Sequence, residues 1–193
     1  MAETEMCTMT NAERILRVLD AQLDHEVELT LFGRAALVLG YPHPPQGIEN
    51  TRDVDAIIPA SQSAEIESDH QFWTALEHTN REIEGEGLYL THLFDENQII
   101  HAPGWLGRRV RITLPDFHRL RLFRPATQDL ILTKMMRGLD ESDWQDITFL
   151  IGQDDFEHLA FSDALEGAIF PESEEIRTLF DAARQRLHDT FGY

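Results

Sequence analysis

The sequence predicts a mixed α/β (α+β) fold: a small mixed sheet flanked by helices, with a further helical layer at the C-terminal end. Short runs rich in β-branched and aromatic residues, at 27–32, 53–58 and 88–95, alternate with segments of helical period. Glycine and proline stand at most of the joins. Beyond Pro125 only helical patterns remain, which predicts an α/β core over 1–124 and a C-terminal helical subdomain over 125–193 packed on it.

Taken in order, residues 1–9 are polar and expected to be loose. Thr10-Asn11-Ala12-Glu13 is a capping-box pattern, and Ile15, Leu16, Leu19 and Leu23 follow at helical spacing. The strand 27–32 stops at Gly33, and Ala35 to Leu39 propagates a short helix. Pro42, Pro44, Pro45 and Gly47 then forbid regular structure over 41–50, a loop that reads as a lid or as a surface insertion. His43 within it has no evident partner. The strand 53–58 ends at Pro59, and Ser61 or Ser63 opens a helix carrying Ile66, Phe72, Trp73 and Leu76. Gly85 and Gly87 precede the strand 88–95, whose alternation assigns Leu88, Leu90, His92 and Phe94 to one face.

A turn at 103–105, a half-exposed strand at 109–114 and a short strand at 120–123 complete the core. Pro125 suits the first turn of a helix with a stripe of Leu130, Ile131 and Met135, and Lys134 falls at the stripe's edge. Gly138 ends that helix, and Ser142-Asp143-Trp144-Gln145 reads as the capping box of the next. Phe156, Leu159 and Phe161 suggest a short helix, and Ile176, Leu179, Phe180, Ala183 and Leu187 a longer one. These last helices extend the core or, as the alternative, supply a dimerisation surface.

The formal charge is −19, from 35 acidic and 16 basic residues, which opposes whole-surface binding to nucleic acid. Six arginines nevertheless fall between Arg108 and Arg124: a strip for a phosphate-bearing ligand or RNA end, or else partners for the many carboxylates. No apolar run approaches the ~20 residues that span a bilayer, so no membrane partner is expected. The start lacks the layout of a signal peptide, and the single Cys7 cannot form an internal disulfide. A cytoplasmic protein is the expectation.

The chemistry concentrates between 28 and 58. Gly33 tolerates close backbone approach and a positive φ. The helix after it turns its free N–H groups back on the Gly33-Arg34 turn, an anion site for which phosphate is the usual occupant. Period-two alternation puts Asp53 and Asp55 on one face, about 6–7 Å apart at Cα. Their oxygens can converge on one or two Mg²⁺ ions, or on Mn²⁺ in their place. A phosphate turn beside a paired-acid strand suits a nucleoside triphosphate.

Phe32-Gly33-Arg34-Ala35, followed by Thr51-Arg52-Asp53-Val54-Asp55, resembles the Gly-Ser (or Gly-Gly) plus Asp-x-Asp signature of the DNA-polymerase-β-type nucleotidyltransferases. The resemblance is closest to the small prokaryotic branch that includes the AbiEii-type toxins. Thr133-Lys134-Met135-Met136-Arg137, then Asp140, Asp143 and Asp146, stand in the order of that branch's helical lysine and acidic helix start. The resemblance implies metal-dependent transfer of a nucleotide from a triphosphate to an RNA end, a protein hydroxyl or a small molecule. Asp53 and Asp55 would hold the metal, and Gly33 and Arg34 would cradle the triphosphate. Lys134 would neutralise charge as pyrophosphate leaves. It also implies an antitoxin as a partner.

Two departures stand beside the match. Arg34 replaces the usual small hydroxyl residue. The family's third carboxylate, on the strand beside the Asp-x-Asp strand, has no clean counterpart: either Asp95 serves, or His92 takes the place as ligand or base, or the site works with two acids. Asp143 suits a helix N-terminus whatever its function, and an inward Asp146 calls for a pair with Lys134 or Arg137. An inactive member that binds a nucleotide or a protein partner is the alternative reading.

Overall fold

The computed structural model describes residues 9–193; the polar start and Cys7 lie outside the described residues. The elements in chain order are α1 (Asn11–Gln22), β1 (Val27–Phe32), α2 (Gly33–Gly40), β2 (Asp53–Ile58), α3 (Ser63–Ser68), α4 (His70–Ile83), β3 (Tyr89–Asp95), β4 (Val110–Ile112), β5 (Leu120–Arg124), α5 (Thr127–Lys134), α6 (Glu141–Ile151), α7 (His158–Glu166) and α8 (Glu174–Phe191). Among the described residues no helix is long and apolar enough to cross a membrane.

The sheet is mixed, as predicted, with strand order β3-β2-β1-β5-β4. β1 runs antiparallel to β2 and parallel to β5, while β2 and β3 are parallel. One face buries Leu29, Leu31, Val54, Ala56, Leu88 and Leu90 in the main core, together with Ile15, Leu16 and Leu19 of α1 and Phe72 of α4. The other face carries Phe32, Ile57 and Phe94, over which Ile99, Trp105 and Leu106 of the β3–β4 connection pack. That connection covers part of this face, and the rest forms the cleft described below.

Thr10 caps α1 as expected, its hydroxyl accepting from the Glu13 N–H at 3.2 Å. Asp20 in the last turn of α1 is buried and accepts from the backbone N–H groups of His118, Arg119 and Leu120, which fixes the entry into β5. Gly40 ends α2 where a side chain would meet the Arg124 stem, its built Cβ only 2.4 Å from Cδ. Arg124 itself is buried, stacked over Tyr41 and paired with Asp155.

Several expectations are corrected. The single helix expected after Pro59 is two, broken at Asp69, whose carboxylate accepts from the Phe72 N–H and starts α4. The N-cap of α6 is Asp140 rather than Ser142: one carboxylate oxygen takes both the Ser142 and the Asp143 N–H. Pro125 precedes α5, whose N-cap is Ala126, rather than entering its first turn. Of Phe156, Leu159 and Phe161, which suggested the short helix, Phe156 lies before α7 and Leu159 within it is 76% exposed. Of the two readings of the arginine strip, carboxylate pairing holds for most of it: Arg108, Arg109, Arg121 and Arg124 pair with Asp129, Glu28, Glu26 and Asp155.

The expectation that Leu88, Leu90, His92 and Phe94 share a face is also overturned. Val54 pairs with Leu90 but Asp55 pairs with His92, so Thr91 is an extra residue in β3 and the register shifts there. A bulge of this kind rotates the rest of the strand by one position. Leu88 and Leu90 stay in the core, while His92 and Phe94 turn to the face that bears Asp55 and Ile57.

Candidate functional site

The β1–α2 junction, β2, β3 and the α5–α6 connection enclose a cleft of about 490 Å³. Its lining includes Gly33, Arg34, Asp53, Asp55, His92, Lys134 and Asp143, so most of the residues singled out in the sequence meet in one place.

Gly33 makes the turn from β1 into α2 at φ +59°, a left-handed conformation that glycine adopts without strain. A Cβ built there lies 3.4 Å from Oδ2 of Asp55, so the amide start of α2 sits directly beside that carboxylate. The cross-strand pairing of Phe32 with Asp55 produces this proximity. Asp53 is exposed and accepts a hydrogen bond from the Thr51 hydroxyl at 2.9 Å. Asp55 is half-buried, and burial first, the Asp53 charge second, push its carboxyl above the usual range. His92 and Lys134 oppose that shift only in part. Two acids short of countercharge suit a cation.

The donor set is hard carboxylate oxygen, which fits Mg²⁺. Such an ion binds through one or two carboxylates and completes its octahedron with water and substrate phosphate. Among the described residues no three His, Cys, Asp or Glu side chains are gathered closely enough to hold a metal by themselves. A site built on Asp53 and Asp55 would therefore take its remaining ligands from the substrate.

Opposite the two acids lies a second charged group. Lys134 is buried, and its Nζ donates to Asp143 at 3.0 Å and to Asp146 at 2.7 Å. The sequence placed this lysine at the edge of an apolar stripe; instead α5 is buried on nearly all sides, and the two α6 aspartates provide its burial with countercharge. Arg137 forks onto Asp143, and Arg34 Nε lies 3.6 Å from Asp146. Three cations thus surround two buried carboxylates, and Asp140 also acts on Arg137, so the cluster is close to charge-balanced. The Arg137 side chain is 62% exposed and lines the cleft.

Asp95 is not brought into the site. It ends β3 opposite Ile58, and its backbone N–H donates to the Gln98 side chain. His92 is brought in: its Nδ1 lies 3.3 Å from Oδ1 of Asp55. Phe32, Phe94, Ile99, Thr133, Met136 and Ser142 also line the cleft and were not anticipated. Phe32 was recoverable from strand alternation; Thr133 and Met136 stood in the motif around Lys134 and Ser142 in the expected capping box, but none was assigned to the site. No family model, curated protein or solved structure matches the chain.

Proposed function

We propose that the protein is a metal-dependent nucleotidyltransferase acting on a nucleoside triphosphate. One observation carries the reading: the glycine turn that starts α2 abuts the Asp53–Asp55 strand inside a cleft that Arg34, Lys134 and Arg137 also line. An anion-binding helix start beside a carboxylate pair suits a polyphosphate whose charge is shared between backbone N–H groups and a cation.

In this reading Asp53 and Asp55 would hold one or two Mg²⁺ ions, which would supply charge neutralisation for an in-line displacement at phosphorus. The Gly33-Arg34 turn orients the triphosphate tail. Arg137 and Arg34 are the accessible cations that meet the leaving pyrophosphate, and Lys134, tied to two aspartates, fixes the wall that presents them. An acceptor oxygen bonds to the α-phosphorus, the bond to the bridging oxygen breaks, and the acceptor's proton passes to solvent.

Titration of nucleoside triphosphates with and without Mg²⁺, followed by an α-phosphate label-transfer assay, tests this. Mg²⁺-dependent binding that Asp53→Asn and Asp55→Asn each abolish is the expected outcome, and unchanged binding in either variant would falsify the assignment. One observation favours an inactive binding member instead: a histidine, not an acid, stands opposite Asp55 on β3. Binding without transfer to any RNA, protein or small-molecule acceptor would select that second reading.

A further inference from the structure

Resting on the triphosphate reading, we propose that the β3 side of the cleft is a nucleobase-stacking subsite, with the His92 ring as its platform. The cleft has two unlike halves. Its charged lining includes Arg34, Asp53, Asp55 and Arg137, while Phe32, Phe94, Ile99 and Met136 belong to one apolar cluster on which the His92 ring stacks through Phe94. An apolar aromatic wall next to an anion site matches a ligand that joins a flat ring to phosphates.

The His92 ring stacks in an offset, inclined arrangement on Phe94, with centroids 5.4 Å apart and an interplanar angle of 26°. Phe94 in turn meets Phe32 edge to face at 5.5 Å, which fixes the base of the stack. Asp55 holds His92 Nδ1 at 3.3 Å and so fixes the ring's rotation. One face of the imidazole is therefore covered, yet the side chain remains 63% exposed and lines the cleft. Its outer face is an open, oriented aromatic surface. Among the described residues β3 is an edge strand of the sheet, with no further strand beyond it.

The Thr91 bulge is what gives this result. Without the extra residue, His92 would follow Leu90 onto the core face, and the cleft would lack its platform. Stacking is tolerant of base identity because each base presents a π-face, so the subsite recognises a nucleobase without choosing among the four. The base can belong to the donor triphosphate or to a nucleotide acceptor, since both meet at the α-phosphorus.

Calorimetric titration of wild type, His92→Ala and His92→Phe with ATP, inorganic tripolyphosphate and adenosine, all with Mg²⁺, separates these cases. For a donor base, His92→Ala weakens ATP about five- to hundredfold and leaves tripolyphosphate unchanged. For an acceptor base, ATP is unchanged, and the same loss falls on adenosine added to protein saturated with a non-hydrolysable ATP analogue. His92→Phe keeps wild-type affinity in either case, because it retains the ring and removes only the hydrogen bond and any ligating nitrogen. The proposal is overturned if His92→Ala binds ATP and adenosine as wild type does, or if His92→Phe is as weak as His92→Ala. If wild type binds neither ATP nor tripolyphosphate, the triphosphate reading fails, and the stacking subsite stands or falls on adenosine alone.

Discussion

At the scale of single residues, burial decides what a charged side chain can be asked to do. Lys134 is 5% exposed and bridges two aspartates that are themselves buried, so its removal strands Asp143 and Asp146 with only Arg137 and Arg34 for compensation. Breaking a buried pair from one side costs about 3–5 kcal/mol. Lys134→Met should lose stability of that order in urea unfolding, and adding Asp146→Asn should restore part of it, because contacting sites do not add. A loss under about 1 kcal/mol would mean the lysine behaves as a surface ion pair. Asp55 has the opposite sign. Burial and the Asp53 charge disfavour its ionised form, so Asp55→Asn should raise the melting temperature at neutral pH in the absence of divalent cation, even as it removes a metal ligand. Asp20 shows how far backbone donors can outweigh burial. Desolvation pushes its carboxyl up, but the N–H groups of Leu120, His118 and Arg119 together hold it below the usual range. A carboxyl depressed in the native state adds stability that is complete above about pH 4 and is lost as pH falls through the native value. Asp20→Ala should therefore destabilise at pH 7, by about 2–4 kcal/mol for stranding buried N–H groups, and the difference from wild type should shrink in acid.

At the scale of elements, the legible parts were those that local pattern determines. The strands 27–32 and 53–58, the Thr10 cap and the Gly33 turn follow from period and turn chemistry, and the structure has each where the pattern put it. What escaped depends on partners distant in sequence. The Thr91 bulge is a property of pairing with β2, so strict alternation assigned His92 to the wrong companions. The enclosure of α5 depends on Asp143 and Asp146 arriving from the next helix, and a lysine in its last turn looked superficial from sequence. Asp69 breaks a helix by capping its successor, which polar spacing alone did not separate from a continuous run. Asp53, Asp55, Gly33 and Arg34 were found because they cluster in sequence, whereas Phe94 and Met136 join the cleft only through tertiary packing. The β1–α2 junction is the element most open to test. At Gly33, φ is +59° and a methyl group would point at Asp55. Gly33→Ala should cost about 1–2 kcal/mol for the left-handed backbone. It should weaken triphosphate binding beyond any effect on the nucleoside, since the methyl would stand at the proposed phosphate site. Equal weakening of both ligands would remove the junction from the phosphate site.

At the scale of the whole molecule, charge sets the terms on which any anion is met. A body of formal charge −19 repels polyanions, and the arginines that looked like an RNA strip are for the most part paired with neighbouring carboxylates. Replacing Arg108, Arg109 and Arg111 with glutamine should leave the fluorescence anisotropy of a labelled single-stranded RNA unchanged at low salt. A steep loss would restore the strip as a binding surface. The same charge excess makes the compact state repel itself, so monovalent salt should raise the melting temperature by screening. A divalent cation adds a second effect if Asp53 and Asp55 share it, because a ligand of the native state alone stabilises by mass action. At tenfold over its dissociation constant the gain is about 1.4 kcal/mol, or roughly 3–6 °C for a chain of this size. Thermal melts in MgCl₂ and in NaCl at matched ionic strength separate screening from binding, since screening depends on ionic strength and site binding on the ion. Wild type should melt higher in MgCl₂ by that margin, and Asp55→Asn, with one carboxylate left, should lose the excess while keeping its response to NaCl. If both proteins gain equally from MgCl₂, the cation is acting on the acidic surface at large, and the two aspartates of β2 are not its site.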